Sequence, residues 1–159
     1  MSNKMKIIQF RKLSGPNYWS LRPCIQMLLD IGELEELPTN KIDGFYDRFT
    51  VALPSIHDHR CSIGKAGGFF QRVEEGTWMG HVVEHTALEL QTLAGMDTGF
   101  GRTRETGDTG IYHVVYSYIV SEVGKRAGEL SVDLCEKLIR GNKYDLDAIV
   151  QELNYLWLP

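Results

Sequence analysis

The sequence predicts an α+β fold in which helices cover a small, mainly antiparallel sheet. Segments rich in β-branched and aromatic residues, which are typical of strands, occur near the N-terminus and at 111–120. Segments with helical periodicity occupy 77–94 and 121–140. Strands and helices in this order suit one sheet packed against helices.

The composition indicates a single globular domain. The chain has 159 residues, of which 43% are apolar, and a formal net charge of -4 at pH 7. This length and apolar content suit one domain over residues 1–159 with its own core. The mixed, slightly acidic charge argues against a nucleic-acid partner. Because no apolar run approaches the roughly 20 residues of a membrane span and the N-terminus lacks a signal-peptide core, we expect a cytoplasmic protein without membrane contact.

The three cysteines, Cys24, Cys61 and Cys135, are far apart and form no Cys-x-x-Cys pair. An odd, scattered set of cysteines is typical of reduced thiols in a cytoplasmic protein and argues against a zinc site built from thiolates. We expect each of them to be a small buried hydrophobe.

The first part of the chain predicts two strands and two short helices. Residues 6–13 have strand composition and end at the turn residues 14–17. The apolar run within 21–31 is short, and we interpret it as a second strand. Residues 33–37 and 44–53 predict helices, and a proline directly after each prevents it from continuing.

A histidine pair lies in the segment between Pro54 and Gly68, which we predict to be a loop. His57 and His59 could bind a metal if the segment were extended, but a solvated loop is the favoured interpretation. The next residues, 69–73, predict a short strand or the approach to a helix.

The rest of the chain predicts three helices and one strand. The helix over 77–94 begins at a Thr77 cap and is followed by a loop at 95–110, rich in Gly, Thr and charge. Residues 111–120 alternate as a strand whose two faces are both largely covered. The remaining elements are a helix over 121–140, with Ser121 as its cap and Gly141 as its stop, and a helix over 145–156.

The predicted helix over 77–94 carries the motif His-x-x-Glu-His, formed by His81, Glu84 and His85. Side chains at positions i, i+3 and i+4 share one helix face, so the imidazoles can hold one ion with the carboxylate beside them. This order is the inverse of the commoner zinc-protease motif. Zinc with an open site lowers the pKa of its water to about 7. We predict His81 and His85 as zinc ligands and Glu84 as the catalytic base; the alternative is a histidine pair without metal.

Such a zinc site needs a third protein ligand, and two glutamates are candidates. Glu89 shares the helix face of the histidines but lies a full turn beyond His85. Glu122 lies in the first turn of the 121–140 helix, which could bring it to the ion from the opposite side. Because two elements enclose an ion better than one, we predict Glu122 as the third ligand.

The segment 99–106 combines glycines with two arginines, Arg102 and Arg104. Guanidinium groups suit carboxylates, so these arginines predict contact with an acidic ligand; internal ion pairs with Glu105 or Asp108 explain them about as well. The segment departs from Gly-x-Gly-x-x-Gly at its last position, and the chain has no Gly-x-x-x-x-Gly-Lys-Ser/Thr. The sequence therefore predicts no ATP site.

Three segments of the chain, taken in order, resemble the N-terminal domain of cyanophycin synthetase. The similarity covers nearly the whole chain. The segments are Gly15-Pro16-Asn17-Tyr18-Trp19-Ser20, residues 76–91 around the motif, and residues 99–105. The resemblance implies an inverse-zincin-like fold, with the motif helix over an antiparallel sheet.

The resemblance also implies a parent enzyme that uses ATP to make a polymer with an aspartate backbone and an arginine on each aspartate side chain. Family members combine this kind of domain with an ATP-grasp domain and a Mur-ligase-like domain. Neither of these ATP-using parts is expected in residues 1–159, so we do not expect this chain to ligate amino acids by itself.

For the domain itself, the resemblance implies that it binds and anchors the polymer and, in some members, cuts it as a zinc-dependent hydrolase to make primers. On this basis Arg102, Arg104 and Glu105 contact the polymer, and the domain belongs to a larger, oligomeric synthetase. Two alternatives remain open. One is a binding module that needs no metal, and the other is a structural or oligomer-forming domain with neither metal nor catalysis.

Overall fold

Four antiparallel strands form one sheet in the computed structural model, which describes residues 4–59 and 64–158. Along the sheet the order is β1-β2-β4-β3, and Val114 of β4 lies between Met27 of β2 and Thr103 of β3. This sheet with its helices confirms the α+β prediction. The strands are β1 (Lys6–Leu13), β2 (Cys24–Asp30), β3 (Gly101–Glu105) and β4 (Ile111–Ser117).

Five α-helices accompany the sheet in the part of the chain that the structure describes, together with short 3-10 turns at Gly32–Glu36, Thr39–Lys41 and Pro54–Asp58. None of these described helices combines the length and the apolar character that a membrane crossing needs. The helices are α1 (Phe45–Ala52), α2 (Gly68–Glu75), α3 (Met79–Leu93), α4 (Ser121–Arg140) and α5 (Leu146–Tyr155).

Helices α3 and α4 pack against the sheet and against each other. Helix α3 contacts β3 and β4, and α4 contacts β1, β2 and Tyr116 of β4. The strand side chains Met27, Leu29, Val114 and Tyr116 are fully buried, as alternate positions of a strand are when one face meets a helical layer. This packing places the motif helix α3 directly beside β3.

The structure confirms most of the predicted elements. The strands predicted at 6–13 and within 21–31 are β1 and β2, and the helices predicted at 44–53, 121–140 and 145–156 are α1, α4 and α5. The short helix predicted at 33–37 is the 3-10 turn Gly32–Glu36.

Two predicted segments have a different structure. Residues 69–73, predicted as a strand or an approach segment, belong to helix α2, which buries Phe69 and Val73. The predicted loop 95–110 contains strand β3, whose polar sequence lacks apolar alternation and which forms by pairing with β4. Packing and strand pairing override the local sequence pattern in both places.

The predicted helix starts are shifted. Helix α3 begins at Met79 rather than after a Thr77 cap, and Ser121 is the first residue of α4 rather than its cap. Helix α5 begins at Leu146, one residue later than predicted, and Asp145 caps it, because its carboxylate accepts a hydrogen bond from the backbone N–H of Ala148 at 3.0 Å.

Two of the three cysteines are described, and both agree with the prediction. Cys24 and Cys135 are buried free thiols, and burial raises the pKa of Cys135 to about 12. Cys61 lies outside the described residues. The described thiols therefore act as core side chains.

Candidate metal centre and cleft

The three motif residues lie together on α3, as their spacing predicts. Ligand atoms of His81, Glu84 and His85 all lie within 4.8 Å of one another. Glu84 and His85 are buried, and His81 is half-buried. Nε2 of His85 is 3.6 Å from Oε2 of Glu84. The arrangement brings two imidazoles and one carboxylate to a single point on the helix.

Strand β3 holds Glu84 in place from the side. The hydroxyl of Thr103 donates to Oε1 of Glu84 at 2.7 Å. The backbone of Gly101 passes so close that a Cβ there would lie 2.8 Å from both Cγ and Cδ of Glu84. A glycine at position 101 is therefore what allows β3 to run beside this carboxylate.

Burial also changes the protonation of Glu84. Removal from water raises the pKa of Glu84 from its ordinary 4.5 to about 7, although the Thr103 hydrogen bond and the Arg102 cation both act in the opposite direction. A carboxyl group with this pKa exchanges a proton close to neutral pH.

Both motif imidazoles are kept neutral. Burial, helped by the nearby Arg72 cation, lowers the pKa of His81 from 6.5 to about 4. Burial, together with its neighbours His81 and His59, lowers the pKa of His85 well below 6.5. A neutral imidazole offers a lone pair, which is the form that binds metal ions.

Groups outside the motif contact the histidine rings. The hydroxyl of Thr77 is 3.1 Å from Nδ1 of His81, and Nδ1 of His59 is 2.8 Å from Nδ1 of His85. The ring of Phe69 stacks on His85, with centroids 3.7 Å apart and planes 12° apart. His59, predicted from the sequence to lie in a solvated loop, therefore packs against the motif.

Glu89, one of the two candidates for a third ligand, is buried near the motif. Glu89 is only 2% exposed to solvent. One carboxylate oxygen is 3.3 Å from Nε2 of His59, and the other accepts the hydroxyl of Ser55. Glu89 is thus bound to His59 and Ser55.

The structure does not bring Glu122, the preferred third ligand, to the histidines. Helix α4 turns Val123 and Gly124 into the core, which directs Glu122 to solvent on the opposite side of the first turn. Among the described residues, Glu122 belongs neither to the group around His81 nor to the lining of the adjoining cleft.

A cleft of about 1050 Å³ opens beside the motif. His81, Glu84 and His85 all line it, so the buried group faces a space large enough for a peptide-sized ligand. Its charged side chains have both signs. They are the cations Arg72 and Arg102 and the anions Asp58, Glu89, Asp97 and Glu105.

Comparison with known proteins assigns the family. The family model of the cyanophycin synthase-like N-terminal domain matches residues 26–140, most of the chain. The chain belongs to this family. It is 52% identical over 154 residues to a cyanophycin synthetase of Geminocystis herdmanii, 51% over 158 to one of Trichormus variabilis and 51% over 154 to one of a Synechocystis species. Each match covers 96% of this chain and 18% of the relative, so the chain spans about a fifth of these proteins.

The predicted polymer-binding residues of this family domain occupy different surroundings. Arg102 and Glu105 are exposed residues that line the cleft. Arg104 is also exposed, but its guanidinium lies 5.7 Å from the ring centroid of Trp19 and is not part of the cleft lining. Only Arg102 and Glu105 therefore share a space with the motif.

Several cleft residues were not singled out from the sequence. Arg72, on α2, affects the pKa of His81, and Thr103, on β3, binds Glu84. Both lie on elements that the sequence pattern did not predict. A helix over 68–75 would have placed Arg72 and Phe69 on neighbouring turns, but two adjacent phenylalanines resemble a strand.

Proposed function

We propose that this domain binds the Asp/Arg polymer cyanophycin in the cleft beside α3 and hydrolyses its peptide bonds with the help of a zinc ion. The observation that carries the proposal is the group of half-buried His81 and buried Glu84 and His85 at the wall of a cleft with both signs of charge. The polymer is supported by family membership, because the matched relatives are named cyanophycin synthetase.

The two motif imidazoles suit a zinc ion. Neutral imidazoles with a carboxylate nearby are the groups found in hydrolytic zinc sites. His81 and His85 would hold the ion, since burial keeps both rings neutral and their ligand atoms lie within one small group. A zinc ion bound there would polarise the substrate carbonyl and acidify a water molecule.

Glu84 is the proton carrier in this proposal. It accepts the proton of the attacking water and delivers it to the amine that leaves when the peptide bond breaks. Thr103 fixes one carboxylate oxygen, and the other lies toward His85. The carboxylate therefore has a defined orientation before substrate binds.

The charges of the cleft match the chemistry of the polymer. An arginine joined to aspartate through its amino group keeps both a carboxylate and a guanidinium. Arg72 and Arg102 can pair with the carboxylates of such units, and Asp58, Asp97 and Glu105 can pair with the guanidinium groups. Alternating charges along the polymer would thus find partners on both sides of the motif.

Within a longer parent protein, we propose that the domain anchors the growing polymer for ATP-dependent ligation in the cytoplasm and cuts it to provide primer ends. Such a role needs both binding and hydrolysis to occur in one place. The single cleft shared by Arg102, Glu105 and the motif supports that combination.

A structural role in the larger protein is a second candidate, and one surface favours it. Tyr155, Leu156 and Leu158, at the end of the described chain, are 78%, 43% and 49% exposed. Neighbouring exposed apolar side chains mark surfaces that a partner covers. None of the three lines the cleft, so this role is compatible with hydrolysis.

Zinc content and polymer affinity test the proposal. We expect protein purified without chelator to contain or take up one zinc ion per chain, and His81→Ala to lose it. Arg102→Ala should weaken polymer binding severalfold, whereas Arg104→Ala, the same change outside the cleft, should leave it near the wild-type value. Wild-type protein that takes up no zinc would rule out the hydrolase, and equal polymer affinity of Arg102→Ala and wild type would rule out this cleft as the binding surface.

A further inference from the structure

We propose that His59 and Glu89, which lie outside the motif, position His85 for metal binding by fixing which of its two nitrogens carries the proton. This inference rests on the zinc site of the proposed function. It assigns roles to a loop histidine and to a buried glutamate that the motif alone does not explain.

A continuous chain of polar contacts connects Ser55 to the motif. The hydroxyl of Ser55 donates to one oxygen of Glu89, and Nε2 of His59 lies 3.3 Å from the other. Nδ1 of His59 lies 2.8 Å from Nδ1 of His85, whose Nε2 lies 3.6 Å from Glu84. This series of contacts ends at Nε2 of His85, the nitrogen that faces the motif carboxylate.

The proton positions follow from the acceptor at the far end. A carboxylate only accepts hydrogen bonds, so Nε2 of His59 must carry the proton that it shares with Glu89. When His59 is neutral, its Nδ1 is bare, and Nδ1–H of His85 is then the donor across the contact of 2.8 Å. His85 is left with its lone pair on Nε2, on the side of Glu84.

Burial strengthens this arrangement. The side chains of Glu89 and His85 are 3% and 7% exposed, and that of His59 is 19% exposed. Hydrogen bonds shielded from water are stronger, and leaving one of these buried groups without its partner is costly. This series of hydrogen bonds therefore holds His85 in one tautomer.

Phe69 fixes the plane of the same ring. Its stacking on His85, with planes 12° apart, restricts rotation of the imidazole about its side-chain bonds. His59 sets the proton position and Phe69 sets the ring plane. The tautomer and the ring orientation of His85 are thus both determined before an ion binds. Groups that orient ligand histidines in this way raise metal affinity by 10- to 100-fold.

Zinc affinity of the 159-residue chain and of three variants tests the role of His59. We expect His59→Ala to weaken zinc binding by about 10- to 100-fold. His59→Gln should recover most of that loss, because its amide oxygen can accept Nδ1–H of His85. The matched control is His57→Ala, since His57 lies two residues away with a side chain that is 61% exposed, and its affinity should equal that of wild type.

A second measurement needs no metal. Nitrogen NMR of the metal-free chain should show His85 protonated at Nδ1 in wild type and as a mixture of tautomers in His59→Ala. A His59→Ala variant with wild-type zinc affinity and an unchanged His85 tautomer would overturn this inference alone. Wild-type protein that binds no zinc would overturn the proposed metal site as well. If His59→Gln binds zinc as weakly as His59→Ala and both variants alter the spectrum of bound cobalt, His59 is a direct ligand and the positioning role is wrong.

Discussion

Glu84 is confined between two residues of β3: Thr103 donates a hydrogen bond to it, and the backbone of Gly101 runs along its side chain. Its position therefore depends on a residue that contributes no functional group. This dependence makes Gly101 a sensitive probe of the site, since changing it alters geometry without removing any of the proposed chemistry.

Gly101→Ala should inactivate the proposed site. The added Cβ would meet Cγ and Cδ of Glu84 at 2.8 Å, so the carboxylate must move. A displacement of about 1 Å in a catalytic group costs on the order of 100-fold in rate. Polymer cleavage assays should show this loss. Gly107→Ala is the matched control, because no atom lies within 4 Å of a Cβ at that position; similar rates for the two variants would argue against the tight fit around Glu84.

The metal-free domain should respond to acid in a way that depends on Glu84. The pKa of His81 falls on folding, so its contribution to stability is lost as pH decreases from 6.5 to about 4. The pKa of Glu84 rises on folding, so its contribution grows as pH decreases from about 7 to 4.5. The two effects oppose each other over nearly the same interval.

Glu84→Gln should remove this compensation. Between pH 7 and pH 4.5, the free energy of unfolding of the variant should fall by about 2 to 3 kcal/mol more than that of wild type. Urea unfolding of chelator-treated protein at the two pH values measures the difference. Parallel pH profiles for wild type and variant would contradict the buried, neutral state of these groups.

Helix α4 lies close against the sheet at two of its glycines, Gly124 and Gly128. A Cβ at Gly128 would collide with the hydroxyl of Tyr116 and lie 3.2 Å from Phe10. That buried hydroxyl donates to the carbonyl of Gly124 at 2.8 Å. The helix and strands β1 and β4 therefore meet at a point with no room for a methyl group.

Gly128→Ala should destabilise the domain by about 1 to 3 kcal/mol. Overpacking costs about 1 to 3 kcal/mol, and weakening of the Tyr116 hydrogen bond in the variant costs about 1 kcal/mol more. The higher helix propensity of alanine offsets about 1 kcal/mol of this cost. Denaturant unfolding measures the change. A variant as stable as wild type would show that α4 can shift outward at no cost.

Helix α4 also provides a test of the third-ligand prediction. Glu122 is directed to solvent, so Glu122→Gln should leave zinc affinity within about twofold of wild type, whereas loss of the proposed ligand His85 should reduce it far more. Isothermal titration with zinc compares the variants. A large loss in Glu122→Gln would mean that α4 rearranges when the ion binds.

The sequence predicted elements well where one periodic pattern decides the structure. The apolar stripe of α4 and the strand composition of β4 are examples, because each buries one face against a neighbour. Strand β3 could not be predicted from its own residues, since it is a strand only because β4 pairs with it. Helix α2 was missed because its two adjacent phenylalanines suit a strand as well as a helix.

The same distinction holds for the candidate site. His81, Glu84 and His85 are three and four residues apart, so helix geometry alone brings them together. His59, Arg72 and Thr103 reach the motif from other elements, and only the packing of those elements determines which side chain arrives. Glu122 illustrates the converse, because its helix was predicted correctly but the rotation of that helix was not.

For the whole molecule, the central feature is one cleft that contains the motif and charges of both signs. Arg102 and Glu105 lie on its rim, and the half-buried His81 and the buried His85 lie at its wall. A polymer bound along the rim would thus pass the groups proposed to cut it. This arrangement connects the family of the chain, an N-terminal domain of synthetases, with the hydrolytic function that we propose for it.

The most direct test is the chain length of cyanophycin after incubation with the zinc-loaded domain, compared between wild type and Glu84→Gln. We expect wild type to shorten the polymer through internal cuts and Glu84→Gln to leave its length unchanged while still binding zinc. A chelator should stop the wild-type reaction. Polymer of unchanged length with zinc-loaded wild type, or equal cutting by Glu84→Gln, would contradict the assignment of His81, Glu84 and His85 as a hydrolytic site.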